Sequence, residues 1–118
     1  MNKRTQGAVK EQMICDYLTG NGYRVVDCKL HSGRAGEIDI IALKDNFICF
    51  VEVKFRKDSK MGMPEEAVSP NKIKKICRAS DYYMLMHKQY YGLQVRFDVA
   101  AILGEEIRYY ENAFPYMI

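Results

Sequence analysis

This chain lacks the patterns that mark secreted and membrane-spanning proteins. Its first residues, MNKRTQGAVKEQ, are followed by no long apolar run, which argues against a secretory signal. No stretch of the sequence approaches the roughly 20 apolar residues that a helix needs to cross a bilayer. We therefore expect a cytoplasmic protein that has no membrane partner.

Cysteine and histidine are scarce and scattered, which argues against several kinds of site. No two cysteines are spaced as in a CxxC pair, so the sequence predicts neither a zinc site nor a disulfide framework, and reduced core thiols are the better interpretation. His31 and His87 belong to no Ser/His/Asp or Cys/His arrangement, and we interpret both as surface or capping residues. The four cysteines are Cys15, Cys28, Cys49 and Cys77.

The residues that are present fit one folded domain. The chain has 118 residues without an internal repeat, a low-complexity tract or a Pro/Gly-rich linker, so we expect a single domain over residues 1–118. Hydrophobic residues make up 48% of the chain, as in folded proteins. The net charge of +3 is compatible with a polyanionic partner but does not require one.

Apolar periodicity and turn signals predict seven elements in the order α-β-β-β-α-β-β. The helices are expected at about residues 5–20, with an apolar arc from Val9 to Leu18, and from Pro70 to about Lys88 with Ser69 as N-cap. A mixed sheet with helices packed against it, an α/β (α+β) fold, is the natural packing. The strands are expected at Tyr23–Leu30, in two arms of a central hairpin, at Leu93–Leu103 with Val95, Phe97, Val99 and Ala101 in alternation, and at Glu106–Glu111.

The central hairpin is the segment GEIDIIALKDNFICFVEVKFR, from Gly36 to Arg56. Asp45 and Asn46 suit the two central turn positions, because both residue types tolerate a left-handed backbone. Lys44 then faces Phe47, and this pair sets the register of the whole hairpin.

In this register four charged side chains project from one face of the hairpin. Asp39 faces Glu52, and Glu37 faces Lys54. Two carboxylates about 4.5–5.5 Å apart at Cβ repel each other unless a divalent cation lies between them, and hard oxygen ligands suit Mg²⁺ or Mn²⁺. The alternative is a solvated polar face in which Glu37 pairs with Lys54, although the apolar context ICFVEV around Glu52 argues against it.

An acidic residue on one strand, then a hairpin, then Glu-x-Lys on the next strand resembles the PD-(D/E)XK nuclease superfamily, which has the fold of restriction endonucleases and archaeal Holliday-junction resolvases. Within it the chain more closely resembles the YraN-like family of small bacterial proteins. GEID followed by FVEVKFR is the specific part of the match, whereas Ile38-Asp39 replaces the superfamily's Pro-Asp dipeptide. The matching residues are Gly7, Glu11, Tyr17-Leu18, Gly22-Tyr23, Gly36-Glu37-Ile38-Asp39, Phe50-Val51-Glu52-Val53-Lys54, Arg56, Gly62, Lys72, Ala79 and Arg96-Phe97-Asp98-Val99.

The resemblance implies a restriction-endonuclease-like fold and metal-assisted hydrolysis of phosphodiester bonds. It implies that Asp39 and Glu52 bind Mg²⁺ or Mn²⁺ with help from the carbonyl of Val53. Lys54 would hold the attacking water or the scissile phosphate. Glu11 on the first helix would be an added acidic ligand or orienting group, and an ordinary helix-surface glutamate is the alternative.

Basic residues near the hairpin are candidates for nucleic-acid binding. They are Arg34, Arg56, Lys72, Lys74 and Lys75. The three lysines fall in the first turns of the second helix, where cations oppose the helix dipole, so a second use such as phosphate contact is indicated. A solvated face is the alternative.

Three functions are consistent with these patterns. The first is an endonuclease acting on DNA, with branched or unpaired structures as candidate substrates. The second is a nucleic-acid-binding module of the same fold with weak or no cleavage, and the third is a protein-interaction domain in which the hairpin is an exposed face. Intact Asp39, Glu52 and Lys54 favour the first over the second, and binding of a divalent metal would separate the first from the third. A homodimer is compatible with the sequence. We interpret four tyrosines mainly as packing residues rather than as a base-stacking site, namely Tyr82, Tyr83, Tyr90 and Tyr91.

Overall fold

A computed structural model of the protein describes residues 3–28, 38–60, 62–64 and 68–117, with side chains from residue 6 onward. The elements follow in the predicted order α-β-β-β-α-β-β, and a 3₁₀ turn at Lys88–Tyr90 follows the second helix. The helices are α1, Lys3–Gly20, and α2, Pro70–Met86. The strands are β1, Arg24–Cys28, β2, Ile40–Lys44, β3, Phe47–Arg56, β4, Gln94–Leu103, and β5, Glu106–Tyr110.

The strands form one mixed sheet in the order β1-β2-β3-β4-β5. Neighbouring strands are antiparallel except β3 and β4, which run parallel from the pair Phe47↔Gln94 to the pair Arg56↔Leu103. A parallel pair requires a crossover connection, and α2 lies within that connection. The predicted α/β (α+β) fold, a mixed sheet flanked by helices, is confirmed.

The register of the central hairpin is confirmed in the described residues. Lys44 pairs with Phe47, and the pairing of β2 with β3 extends to Ile40↔Val51. Asp45 has a φ of 52°, the left-handed conformation that its short polar side chain tolerates.

Helix α1 begins slightly earlier than predicted and packs through its C-terminal half. Ile14 and Leu18 are buried, but Val9 is 42% exposed, so its assignment to the buried arc is wrong. The apolar contacts of α1 with the core start at Met13, since the helix extends past the packed part of the sheet before that residue. Its end follows from Gly22, which has a φ of 85°.

Helix α2 begins as predicted and ends two residues early. The Ser69 side chain accepts a hydrogen bond from the backbone N–H of Lys72 at 3.2 Å, and Pro70 is the first helical residue. The helix ends at Met86 because His87, with a φ of −129°, leaves the helical conformation. Nδ1 of His87 lies 2.8 Å from the Tyr83 carbonyl, which confirms that His87 is a capping residue.

Apolar layers cover both faces of the sheet. β4 lies inside the sheet, so Ala100 and Ile102 are buried as well as Phe97 and Val99, while Val95 near its start is exposed. In one layer α1 packs on the sheet, and its buried residues include Ile14, Cys15, Leu18, Ile40, Cys49, Val51, Ala100 and Ile102. In the other layer α2 packs on the opposite face, and the buried residues include Ile41, Ile48, Phe50, Ile76, Cys77, Phe97, Val99 and Phe114.

The four cysteines are free and buried, which confirms their interpretation as core thiols. Burial raises the pKa of the Cys15 and Cys49 thiols to about 12, so neither forms a thiolate near neutral pH. In the described parts of the chain no helix is both long and apolar enough to span a membrane.

Candidate metal and nucleic-acid site

The site begins where β2 and β3 separate. Their pairing stops at Ile40↔Val51, so the backbone N–H of Val53 has no partner on β2. The side chain of Asp39, one residue before β2, fills that position, and its Oδ2 accepts a hydrogen bond from Val53 N at 2.8 Å. This bond holds the Asp39 carboxylate at the open end of the hairpin, where it is 7% exposed.

Glu52 lies beside Asp39 in the interior of the sheet. Its neighbours Ile48 and Phe50 share its face by strand alternation, and that face is covered by α2. Glu52 is 3% exposed, and its parallel partner on β4 is Val99. A carboxylate in these surroundings is costly to keep charged, because little water reaches it.

The two carboxyl groups influence each other's charge directly. Burial, followed by a hydrogen bond to Asp39 and repulsion from its charge, raises the pKa of the Glu52 carboxyl to about 8. Lys72 and Lys54 act in the opposite direction and lower it. The ammonium of Lys72, on α2, lies 3.6 Å from Glu52 Oε2, which is an ion-pair distance but too long for a hydrogen bond.

Glu52 Oε2 is a buried acceptor for which the described residues supply no hydrogen bond. Such atoms are rare in native structures and call for a specific cause, such as an ion that completes the site. In the described part of the chain no three His, Cys, Asp or Glu side chains form a set that could hold a metal. Among the described residues, Asp39 and Glu52 are the two adjacent carboxyl groups at this position.

Lys54 lies two residues after Glu52 and therefore projects from the same face of β3. It is half-buried, and among the described residues no carboxylate lies within ion-pair distance of its ammonium. Its charge nevertheless acts on Glu52, whose pKa it lowers. The ammonium therefore adds a positive charge close to the carboxylate pair.

Glu11 lies in a groove beside the pair. The groove, of about 700 Å³, opens between the N-terminal half of α1 and the end of β3, and both Glu11 and Asp39 line it. Glu11 is half-buried, but it does not join Asp39 and Glu52 in a three-carboxylate cluster. The described lining of the groove is Gln6, Gly7, Lys10, Glu11, Asp39, Val53, Phe55 and Arg56.

The predicted basic residues lie in different places around the site. Arg56 lines the groove, and Lys72 contacts Glu52. On α2, Lys74 is half-buried and Lys75 is exposed. Of the three lysines, Lys72 is the one for which the described residues show a contact with Glu52. Arg34 lies outside the described residues, as do Glu37 and His31.

Sequence reasoning did not identify four groove residues, Gln6, Gly7, Lys10 and Phe55, as part of a site. Lys10 and Phe55 come from α1 and β3, and the Lys10 ammonium lies 4.3 Å from the centroid of the Phe55 ring. Helical spacing alone could have placed Lys10 and Glu11 beside Gly7, and alternation could have placed Phe55 on the face opposite Lys54. The contact between the helix and the strand could not be derived from either pattern.

A second group of buried charges lies on the α1 side of the sheet. Asp98 is completely buried and accepts hydrogen bonds from Arg96 Nε at 2.9 Å, from the Tyr109 hydroxyl at 2.6 Å and from Asn112 N at 2.9 Å. Burial would lower the pKa of Arg96, but the bonds to Asp98 outweigh it and raise the pKa. Arg96 in turn donates to the Tyr23 hydroxyl at 2.7 Å. This network ties β4 to β5 and to the start of β1.

The predicted packing role of the four tyrosines holds for two of them. Tyr83, His87 and Tyr90 form a cluster of nearly parallel rings at the end of α2. Tyr82 and Tyr91 are exposed on the protein surface, away from the groove lining.

Comparison with known proteins places the chain in one family. Residues 10–102 match the model of the family described as "Uncharacterised protein family UPF0102". The chain is 40% identical to a UPF0102 protein of Lachnoclostridium phytofermentans over 97% of its own length and 96% of the relative's. It is 42% identical to one of Alkaliphilus oremlandii over 97% and 100% of the two lengths, and 42% identical to one of Thermodesulfovibrio yellowstonii over 92% and 94%.

These matches cover most of the chain, and the family model includes the C-terminal part of α1, the central hairpin, α2 and nearly all of β4. They agree with the resemblance that the motifs GEID and FVEVKFR indicate. The chain belongs to UPF0102, the YraN family.

Proposed function

We propose that this protein is a metal-dependent endonuclease that hydrolyses phosphodiester bonds in DNA. The observation that carries the proposal is the buried pair of Asp39 and Glu52, in which Glu52 Oε2 lacks a hydrogen-bond donor among the described residues. A pair of this kind is unfavourable for the fold alone, because two carboxylates in an apolar environment repel each other. A divalent cation would turn the repulsion into attraction.

The residues present fit Mg²⁺ or Mn²⁺ as the cation. Asp39 and Glu52 offer hard carboxylate oxygens, which these ions prefer. The N–H and C=O of one strand residue point to the same side, so the carbonyl of Val53 is directed towards Asp39, to which its N–H is bonded. Mg²⁺ keeps several waters and often uses only one or two carboxylates together with substrate phosphates, so a third carboxylate is not required.

Each side chain has a distinct task in this proposal. When bound, the cation would polarise a phosphoryl oxygen and lower the pKa of a water molecule. Lys54 donates hydrogen bonds to the scissile phosphate or to the attacking water, and its charge stabilises the negative charge that develops during hydrolysis. Asp39 is kept in place by Val53 N, so it presents the same oxygen throughout. Glu11 orients water or substrate in the adjacent groove.

Lys72 supports a second candidate, a nucleic-acid-binding module with weak or no cleavage. Its ammonium lies at 3.6 Å from the same oxygen, Glu52 Oε2, that a metal would use. In the endonuclease, Lys72 must move away from Glu52 when a cation binds, and it then contacts a phosphate nearby. In the binding module, Lys72 stays where it is and substitutes for the cation.

A cleavage panel with matched variants tests the proposal. Wild type should cleave plasmid, single-stranded or branched DNA when Mg²⁺ or Mn²⁺ is present, and should not cleave with a chelator. Glu52→Gln should abolish cleavage and weaken metal binding, whereas Lys54→Ala should reduce cleavage roughly 100- to 1000-fold with metal binding retained. Glu105→Gln, at an exposed position on the β4–β5 turn, is the control and should behave as wild type.

The panel also separates the two candidate functions. Binding to nucleic acid without cleavage by wild type in either metal would favour the binding module. Equal activity of wild type and Glu52→Gln would contradict the metal site itself. In both candidates binding should weaken as salt rises, because each Lys or Arg contact with a phosphate releases counterions.

A further inference from the structure

The groove beside the carboxylate pair contains an exposed aromatic ring that the core does not need. Phe55 is 40% exposed at the end of β3, two residues after Val53 and on the same face. Its neighbours along that face, Val53 and Val51, become progressively more buried towards the core. Phe55 therefore presents its ring to the groove rather than completing the hydrophobic layer.

One face of the Phe55 ring contacts a cationic side chain. The Lys10 ammonium lies over it at 4.3 Å from the centroid, so this face of the ring points into the groove and attracts a cation. A nucleobase can take the same position, because it stacks on an aromatic face and the long side chain of Lys10 can move to a neighbouring phosphate. Arg56, also in the lining, supplies a second positive charge at this end of the groove.

Gly7 leaves open space beside α1 in the lining of the groove. It lies within α1, where glycine is less favourable than alanine. A Cβ at this position would meet nothing within 4 Å among the described atoms, so packing inside the protein does not explain the glycine. Gly7 lines the groove, and the missing side chain leaves room for a ligand to approach the helix backbone.

We infer that this groove, which Asp39 lines, binds an unpaired nucleotide of the substrate with its base stacked on Phe55. The substrate is then a single-stranded or locally unpaired region of DNA, because a base inside a duplex has both faces covered by its neighbours and cannot reach the ring. The inference rests on the proposed function for its location relative to cleavage. The binding itself requires neither metal nor hydrolysis, so it can be tested separately.

The chain contains no tryptophan, so Phe55→Trp introduces a single indole that reports directly on stacking. In buffer with EDTA and low salt, titration with an oligothymidylate should quench its emission. Tyr82→Trp, at a position on α2 that is 67% exposed and away from the groove lining, is the matched control and should show little quenching. A fully paired duplex of the same length should leave the emission of both variants nearly unchanged.

Two further variants test the groove without fluorescence from the protein. Phe55→Leu keeps an apolar side chain but removes the ring, and should weaken binding of a labelled single strand roughly 5- to 150-fold, as for the loss of one stacked base. Gly7→Ala should raise the melting temperature while weakening binding of the same strand. A change that only disturbed the fold would lower the melting temperature instead.

The outcomes distinguish this inference from the proposed function. Unchanged emission of Phe55→Trp at saturating strand, equal strand affinity of Phe55→Leu and wild type, or no binding of any strand at low salt would each overturn the inference. Preferential binding of the duplex would do so as well. If the strand quenches the emission of Phe55→Trp but wild type cleaves no DNA in Mg²⁺ or Mn²⁺, the inferred nucleotide binding is supported. The proposed endonuclease activity is then contradicted.

Discussion

Two buried carboxylate sites lie on opposite faces of the same sheet and differ in how well they are satisfied. Asp98 receives hydrogen bonds from Arg96, Tyr109 and the backbone of Asn112, so both of its oxygens have donors. Glu52 faces another carboxylate, has Lys72 at 3.6 Å, and has one oxygen without a donor among the described residues. Among the described residues, one site has all its hydrogen bonds and the other does not.

The difference separates a structural role from a ligand-binding role. A buried charge with all its hydrogen bonds made can be retained by the fold alone. A buried charge that lacks them lowers stability unless a partner from outside supplies what is missing. Burial and charge by themselves therefore do not distinguish the two sites, whereas incomplete hydrogen bonding beside a second carboxylate does.

The largest expected effect comes from breaking the complete site. Asp98→Ala leaves the Arg96 guanidinium buried without its counter-ion, and we expect the free energy of unfolding to fall by about 3–5 kcal/mol. Urea denaturation followed by circular dichroism measures this loss. Glu106→Ala, which removes an exposed ion pair with Arg108, is the control and should change stability little. A similarly small effect of Asp98→Ala would mean that its network does not stabilise the fold.

A smaller effect, of opposite sign, is expected when the incomplete site is completed. At a concentration about 100 times its dissociation constant, Mg²⁺ or Mn²⁺ should stabilise the wild type by about 3 kcal/mol. Glu52→Gln should lose most of that gain, while Glu105→Gln keeps it. Thermal melts with the metal and with EDTA measure the difference. Equal metal-induced shifts in wild type and Glu52→Gln would mean that Glu52 does not bind the metal. The contrast between the Glu52 and Asp98 sites would then lose its support.

The sequence predicts the fold well because its signals are local. The turn at Asp45 and Asn46 sets the β2–β3 register, and Ser69 with Pro70 starts α2; each depends on neighbouring residues only. The parts predicted less well depend on where an element meets the sheet. Val9 has the right spacing for the apolar arc, yet α1 has already passed the packed core at that point.

The candidate site divides in the same way. Alternation and register bring Asp39 next to Glu52 in the prediction, and the structure has these two residues in contact. The bond from Val53 N to Asp39 depends on the point at which β2 leaves β3, which no residue pattern marks. The partners of Asp98 on and after β5, and the contact of Lys10 with Phe55, join distant parts of the chain. Such contacts follow from tertiary packing rather than from periodicity.

The smallest expected effect is the pH dependence of the incomplete site in the absence of metal. The pKa of Glu52 rises from its ordinary 4.5 to about 8 on folding, so between these values the folded protein binds more protons than the unfolded chain. The stabilising effect of the protonated carboxyl is complete below about pH 4.5 and is lost as the pH rises through about 8. We expect a loss of about 2 kcal/mol over this window, less than the shift alone would give, because Lys72 can move closer to Glu52 once it ionises.

Glu52→Gln isolates this contribution, since glutamine resembles the protonated glutamic acid and does not titrate. In EDTA, the free energy of unfolding of wild type minus that of Glu52→Gln should become more negative from pH 4.5 to pH 8, while the difference between wild type and Glu105→Gln stays nearly constant. Urea titrations at several pH values measure both differences. Saturating Mn²⁺ at the upper end of the pH range should make the wild type more stable than Glu52→Gln, because the ionised carboxylate then binds the cation. A difference that is flat with pH would mean that Glu52 is as well accommodated as Asp98, and the distinction between the two sites would fail.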